Sequence, residues 1–201
     1  MSFVIHDAQL PATLTSEPMT DDQFAAFCAE HPDLSFEMTA EGEIIIMAPA
    51  YSLTGARNSK ICRYLDAWSE KDGQGITCDS SAGFVLPNGA RRSPDASWTL
   101  MGRVQQHVRA DRTGFWHLCP NFVIELRSDT DRLKPLQNKM REYMSNGAQL
   151  GWLIDPENRS VEIYRADGGA ELRKDLSKIE GEGPVDGFVL ELSLVWNPLG
   201  D

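Results

Sequence analysis

Apolar positions recur at two spacings along this chain, and each change of spacing marks the edge of an element. Phe24, Phe27 and Cys28 follow one another as on a helix face, and Thr-Asp-Asp-Gln at 20–23 forms a capping box ahead of them, with Thr20 and Gln23 satisfying each other's amides. That helix ends near His31 and Pro32. Segments 34–38 and 43–47 read as two short strands about Ala-Glu-Gly at 40–42, a hairpin whose Gly42 can take positive φ. Helical spacing returns at Ser52. Ile61, Tyr64, Leu65 and Trp68 make its apolar stripe, Arg57, Lys60, Arg63 and Lys71 lie off it, and Gly73 and Gly75 end it. Strands are expected next at 76–79, 83–86 and 93–100, with Pro-Asn-Gly at 87–89 turning the chain between the last two. Residues 1–19 and 101–118 show no sustained period and read as irregular, with room for a helical turn in the second stretch.

The organising segment is Asn-Phe-Val-Ile-Glu-Leu-Arg-Ser at 121–128. Phe122, Val123 and Ile124 are short, apolar and β-prone, bounded by Pro120 and by Ser128, Asp129 and Thr130, as a buried strand running into a turn would be. Glu125 and Arg127 alternate with Ile124 and Leu126, so both are expected on one side of the sheet. A helix with a firm start at Pro135 follows. Leu136, Met140, Tyr143 and Met144 are its stripe, Asn146-Gly147 its stop, and Lys139 lies about 60° from the stripe's middle, bordering the core. A strand at 150–154, a hairpin at 161–165 and 170–173, a Gly-rich acidic loop and a last strand near 188–192 complete the chain. Antiparallel strands followed by strand, helix, strand give an α/β fold with a mixed sheet and helices packed on it.

Composition narrows this picture more than it redirects it. A chain of 201 residues with 41% hydrophobic content fits one domain, 1–201, with a single core. No apolar run reaches membrane-spanning length, and Met-Ser-Phe-Val-Ile-His-Asp at the start carries no export pattern. Cys28, Cys62, Cys78 and Cys119 have no paired spacing, which favours buried thiols in a reducing cytoplasm. A net charge of -11 argues at first against a nucleic-acid partner. Its distribution weakens that argument, because 57–141 holds 14 of the 19 basic residues and only 9 of the 30 acids.

The candidate chemistry lies in that basic stretch. Asp95, held extended by Pro94, and Glu125 are carboxylates at the ends of neighbouring strands, and two such groups can hold a divalent metal. Each residue also has a quieter reading: Asp95 capping a turn, Glu125 with Arg127 as a surface ion pair, Lys139 snorkelling along its helix. Glu37 is either exposed surface or a third acid facing the same site, and Gln137 touches either the site or solvent.

Taken in order, Ser-Pro-Asp at 93–95, Ile-Glu-Leu-Arg-Ser at 124–128, Leu-Gln-Asn-Lys-Met-Arg-Glu-Tyr at 136–143 and Gly-Trp-Leu-Ile-Asp-Pro at 151–156 resemble the Uma family of putative restriction endonucleases, within the PD-(D/E)XK nuclease superfamily. The resemblance covers about 19–164 and leaves a carboxy-terminal β extension. It implies a restriction-endonuclease-like core with an amino-terminal helix and hairpin, and hydrolysis of DNA phosphodiesters. It further implies Mg²⁺, with Mn²⁺ as a substitute, held by Asp95, Glu125 and the Leu126 carbonyl, with Glu37 as an early acid. The superfamily motif has lysine two residues after the second acid, where this chain has Arg127. Arginine stays protonated, so it can stabilise phosphate charge but cannot take a proton from water. Lys139 is the alternative source of an ammonium, and the sequence leaves the choice open. Two-strand cleavage would favour a twofold homodimer. A nuclease-fold protein that binds nucleic acid or a protein partner without cutting, and a hydrolase of small phosphoesters, are the competing readings.

Overall fold

In the computed structural model, which describes residues 12–15, 19–47, 50–107 and 114–200, the chain opens with β1 (Ala12–Thr15) and α1 (Asp21–Glu30), followed by the hairpin of β2 (Ser35–Met38) and β3 (Glu43–Met47). Next come the long α2 (Ser52–Asp72), then β4 (Gly75–Asp79), β5 (Phe84–Val85), β6 (Arg91–Arg92) and β7 (Ala96–Leu100). After α3 (Met101–His107), the expected strand, helix, strand unit appears as β8 (Phe122–Leu126), α4 (Leu133–Ser145) and β9 (Leu150–Asp155). The hairpin of β10 (Ser160–Arg165) and β11 (Ala170–Lys174), the short pair β12 (Ile179–Glu180) and β13 (Val189–Leu190), and α5 (Ser193–Trp196) close it. The capping box at Thr20 forms as read, and Gly73 ends α2 at φ 70, in the left-handed region.

Two larger sheets form where one was expected. The first runs β1-β3-β2-β6-β5 and the second β11-β10-β9-β8-β7-β4. Only β8 and β9 pair in parallel, joined through α4, and the remaining neighbours are antiparallel, so the second sheet is mixed. The expected strand at 93–100 begins only at Ala96, and the residues just before it cross from the first sheet to the second. Arg91 pairs with Met38 in the first, Ala96 pairs with Ile124 in the second, and Ser93, Pro94 and Asp95 make the passage, where proline has no amide to offer either ladder. Ala12–Thr15, expected to be irregular, pairs along β3 instead. Its four residues are too few to carry a period, and the open edge of β3 decides their conformation.

The strands at the middle of the second sheet are covered on both faces, which is why β8 reads as a nearly unbroken apolar run. Phe122, Ile124 and Leu126 face α2 and the carboxy-terminal segment, together with Ile61, Leu65, Trp98, Trp152 and Val195. Phe188, from that segment, stacks on Trp152 at 5.6 Å between ring centroids. Val123 faces the other way, onto Met140 and Tyr143 of α4 and Phe84 and Leu86 of the β5 region. Strand alternation then puts Glu125, two residues after Val123, on the α4 face as well.

Gly181 is where the carboxy-terminal segment turns to close the α2 face. A Cβ there would lie 2.1 Å from the Val185 carbonyl oxygen and 3.1 Å from Phe188 Cβ, a clash with backbone that no rotamer relieves. Gly181→Ala is therefore expected to destabilise the fold by about 1–3 kcal/mol, in the range of core overpacking, read as a lower urea midpoint at unchanged m-value. An unchanged midpoint would mean that this segment does not belong to the cooperative core.

Candidate active site

The passage between the sheets fixes one acid. The β7–β8 ladder stops at Ala96 and Ile124, which leaves the Leu126 amide at the end of β8 without a strand partner on that side, and it donates to Asp95 Oδ2 at 2.7 Å. From the α2 side, Asn58 Nδ2 donates to the Asp95 carbonyl at 3.2 Å. Asp95 thus stands half-buried at the foot of β7, and one further step of the Ala96–Ile124 register would place it opposite Glu125.

Glu125 is 3% exposed, and α4 supplies its partners. Lys139 Nζ lies 2.9 Å from its Oε1 and 3.0 Å from its Oε2, and the Tyr143 hydroxyl donates to Oε1 at 3.0 Å. Lysine and tyrosine four residues apart share a helix face, so one turn of α4 holds both. The same ammonium lies 2.7 Å from Glu37 Oε1, bringing β2 of the first sheet into the cluster. Glu37 also accepts from the Ser93 amide at 2.9 Å and from Arg92 Nη1 at 3.2 Å, while Arg92 Nε donates to Glu142 Oε2 at 2.6 Å.

The residues expected at the site divide as follows. Asp95, Glu125, Lys139 and Glu37 come together. Arg127 does not join them: its guanidinium donates to Asp155 Oδ2 at 2.7 Å and to the Asp131 carbonyl at 3.3 Å, tying the ends of β8 and β9 to the turn that leads into α4. Alternation had suggested that Arg127 would share the Glu125 face, but β8 ends at Leu126, and beyond a strand end the period of two no longer governs direction. Gln137 donates to Glu162 Oε1 of β10 at 2.7 Å and contacts none of the clustered acids. Tyr143, Arg92 and Glu142 went unread as site residues. Tyr143 counted as core stripe, although a buried tyrosine hydroxyl needs a partner, and the partners of Arg92 lie 55 and 50 positions away.

Charge sets the electrostatics of the cluster. With every carboxyl ionised, Asp95, Glu125, Glu37 and Glu142 face one ammonium and one guanidinium, an excess of two negative charges. Burial pushes Glu125 up to about 8; the Lys139 ammonium opposes this, and the charges of Asp95 and Glu37 reinforce it. Burial likewise raises Asp95 to about 6 against the Leu126 amide and Lys139. Burial also acts to raise Glu37, but Lys139 and Arg92 outweigh it and hold that carboxyl below its ordinary value. For Lys139, burial is overcome by Glu125 and Glu37, so its pKa rises and the ammonium stays charged.

These groups fit a hard divalent cation. The donors near Asp95 and Glu125 are oxygens, the uncompensated charge matches one such ion, and Mg²⁺ is commonly held by one or two carboxylates with water completing its shell. Among the described residues no group of three or more His, Cys, Asp or Glu side chains is arranged to hold a metal. A separate cleft of about 460 Å³, lined by Cys62, Asp66, Thr77, Cys78 and Asp79 among others, contains none of the clustered side chains. All four cysteines are free thiols, and no described helix is long and apolar enough to cross a membrane.

Comparison with known proteins agrees with this architecture. The crystal structure of a "putative nuclease belonging to DUF820" from Anabaena variabilis ATCC 29413 superposes with a TM-score of 0.70 over 89% of this chain and 98% of its own. At 18% identity the likeness is one of fold. No curated protein matches the chain by sequence. The sequence profile of the Uma2 family, described as "Putative restriction endonuclease", matches residues 21–194, which takes in every clustered residue together with the carboxy-terminal segment, and the chain belongs to that family.

Proposed function

We propose that the protein is a metal-dependent endonuclease that hydrolyses phosphodiester bonds in DNA, acting as one domain. The observation that carries this reading is the ammonium of Lys139 at 2.9 Å from Glu125, with the Asp95 carboxylate accepting from the neighbouring Leu126 amide at 2.7 Å. Family membership supports a nuclease, and the uncompensated charge supports a divalent cation, Mg²⁺ or Mn²⁺ in its place.

Asp95, Glu125 and the Leu126 carbonyl would hold the ion. When bound, it supplies stabilisation of charge on the phosphoryl oxygens and acidification of water. The chain's own part is to fix charges in place. The Leu126 amide and the Tyr143 hydroxyl hold the two carboxylates in orientation, so little reorganisation is needed when substrate arrives. Lys139, kept protonated by its two carboxylate partners, offers positive charge to the phosphate as negative charge grows there, and it does not act as a base. Water's oxygen bonds to phosphorus, the ester P–O bond breaks, and the leaving oxygen takes a proton. Arg127 has a structural part, holding Asp155. Cutting both strands of a duplex would bring two copies together about a twofold axis.

Purified protein is expected to nick or linearise plasmid DNA with Mg²⁺ or Mn²⁺ and not with EDTA, and Asp95→Ala is expected to reduce this to background while leaving the thermal transition in place. If Asp95→Ala protein cuts as the parent does, the nuclease reading fails. DNA retention without cutting would instead favour a binding protein, and turnover of a chromogenic phosphodiester without DNA binding would favour a small-molecule hydrolase.

A further inference from the structure

We infer that Arg92 is a positioning residue: through Glu37 it sets where the Lys139 ammonium sits against Glu125. The guanidinium is buried, at 8% side-chain exposure, and spans two elements. Its Nη1 holds Glu37 Oε2 of β2 at 3.2 Å, and its Nε holds Glu142 Oε2 of α4 at 2.6 Å. Glu37 in turn holds Lys139 with its other oxygen at 2.7 Å, and the Ser93 amide donates to that same oxygen at 2.9 Å. Arg92, Glu37, Lys139 and Glu142 therefore close a ring that joins the first sheet to α4 directly above Glu125.

The geometry makes the ring directional. Glu142 lies three residues after Lys139, so Arg92 fixes the turn of α4 that carries the ammonium as well as the carboxylate that pulls on it. Glu37 is 2% exposed, so bulk solvent is poorly placed to replace a lost partner. With Arg92 gone, its freed oxygen would compete for Lys139 and draw the ammonium off Glu125. Only a planar fork can serve two carboxylates at these angles, so lysine at position 92 keeps the charge and loses one of the two contacts. Arg92 touches neither Asp95 nor Glu125, and its action is indirect.

The kinetic consequence rests on the nuclease reading. Arg92→Lys is expected to fold and to lower kcat about 100-fold, the size of effect that a shift near 1 Å brings, with KM for DNA nearly unchanged. In a Glu37→Gln background, where the competing charge is absent, Arg92→Lys should cost little further. An equal loss in both backgrounds, or a loss in KM instead of kcat, would overturn the inference. A second measurement needs no activity. The parent is expected to show a slowly exchanging Lys139 NH₃⁺ signal by ¹⁵N NMR, assigned through its absence in Lys139→Arg protein, and Arg92→Lys should broaden or shift it. A signal unchanged by Arg92→Lys, or absent from the parent, sinks the ring whatever the enzyme does. A signal that responds as expected in a protein with no Asp95-dependent cleavage leaves the ring standing and removes the nuclease reading.

Discussion

Lys139→Met protein is expected to lose cleavage by a factor on the order of 10²–10³, the scale of removing one preorganised charge from a transition state, while Arg127→Ala protein keeps kcat within about 3-fold of the parent. The superfamily pattern assigns the cation to the residue two places after the second acid, and position 127 does carry a permanent positive charge. Its guanidinium is occupied by Asp155, however, with Glu157 Oε2 at 3.7 Å beside it, whereas the ammonium that touches Glu125 belongs to α4. Arg127→Ala should show instead as lower stability, by about 1–3 kcal/mol, because Asp155 is only 6% exposed in its side chain and would lose a charged donor. Lys139→Met also leaves Glu37 and Glu125 buried without their cation, so Lys139→Arg, which keeps the charge, separates folding from chemistry. Single-turnover rates beside urea midpoints for the three variants decide the matter. Normal cleavage by Lys139→Met together with inactive, stable Arg127→Ala would return the role to the strand.

Metal-free protein is expected to lose stability as pH rises from about 4 to about 8, and added Mg²⁺ should restore most of it. The direction follows from where each proton sits. Glu125 binds its proton more tightly folded, at about 8, than at its ordinary 4.5, and Asp95 does so at about 6 against 3.8. Acids raised in this way contribute fully below their ordinary values, and the benefit is lost progressively as pH climbs from those values to the folded ones. Glu37 works oppositely, since its carboxyl lies below the ordinary range, and its contribution is present above that range and lost in acid. From these three groups, apo stability should therefore peak near pH 4. At about 1.4 kcal/mol per pKa unit the loss over this range is on the order of several kcal/mol, and Glu125→Gln should remove the larger part of it. Denaturation midpoints in EDTA across this range provide the test. A flat profile, or one that rises toward pH 8, would mean that the two acids do not share a buried site.

Tertiary context accounts for the differences between pattern and structure. The strand at 93–100 was visible as an apolar alternation, but its late start at Ala96, after the passage through Pro94 from the first sheet, depends on which neighbours offer ladder partners, here Met38 for Arg91 and Ile124 for Ala96. Tyr143 and Met140 carry the same helical period and both are fully buried, yet only one has a hydroxyl, and its acceptor, Glu125, stands 18 positions earlier. Gln137 sits beside the stripe as expected and finds Glu162 on β10, a partner that no local spacing could indicate.

The sequence by itself determined the elements and their faces, because periods of 3.6 and 2 are set by backbone geometry within a few residues: the stripes of α2 and α4, the doubly buried β8, and the two carboxylates beside strand ends were all legible in it. It also narrowed the cation to Arg127 or Lys139. Only the tertiary structure puts Lys139, and not Arg127, against Glu125, since an ion pair forms where distance and desolvation allow, and those follow from how α4 lies on β8 and where the first sheet meets it. The ring through Arg92 and Glu37 belongs to the same level, assembled from residues more than fifty positions apart that the junction of the two sheets brings within hydrogen-bonding distance.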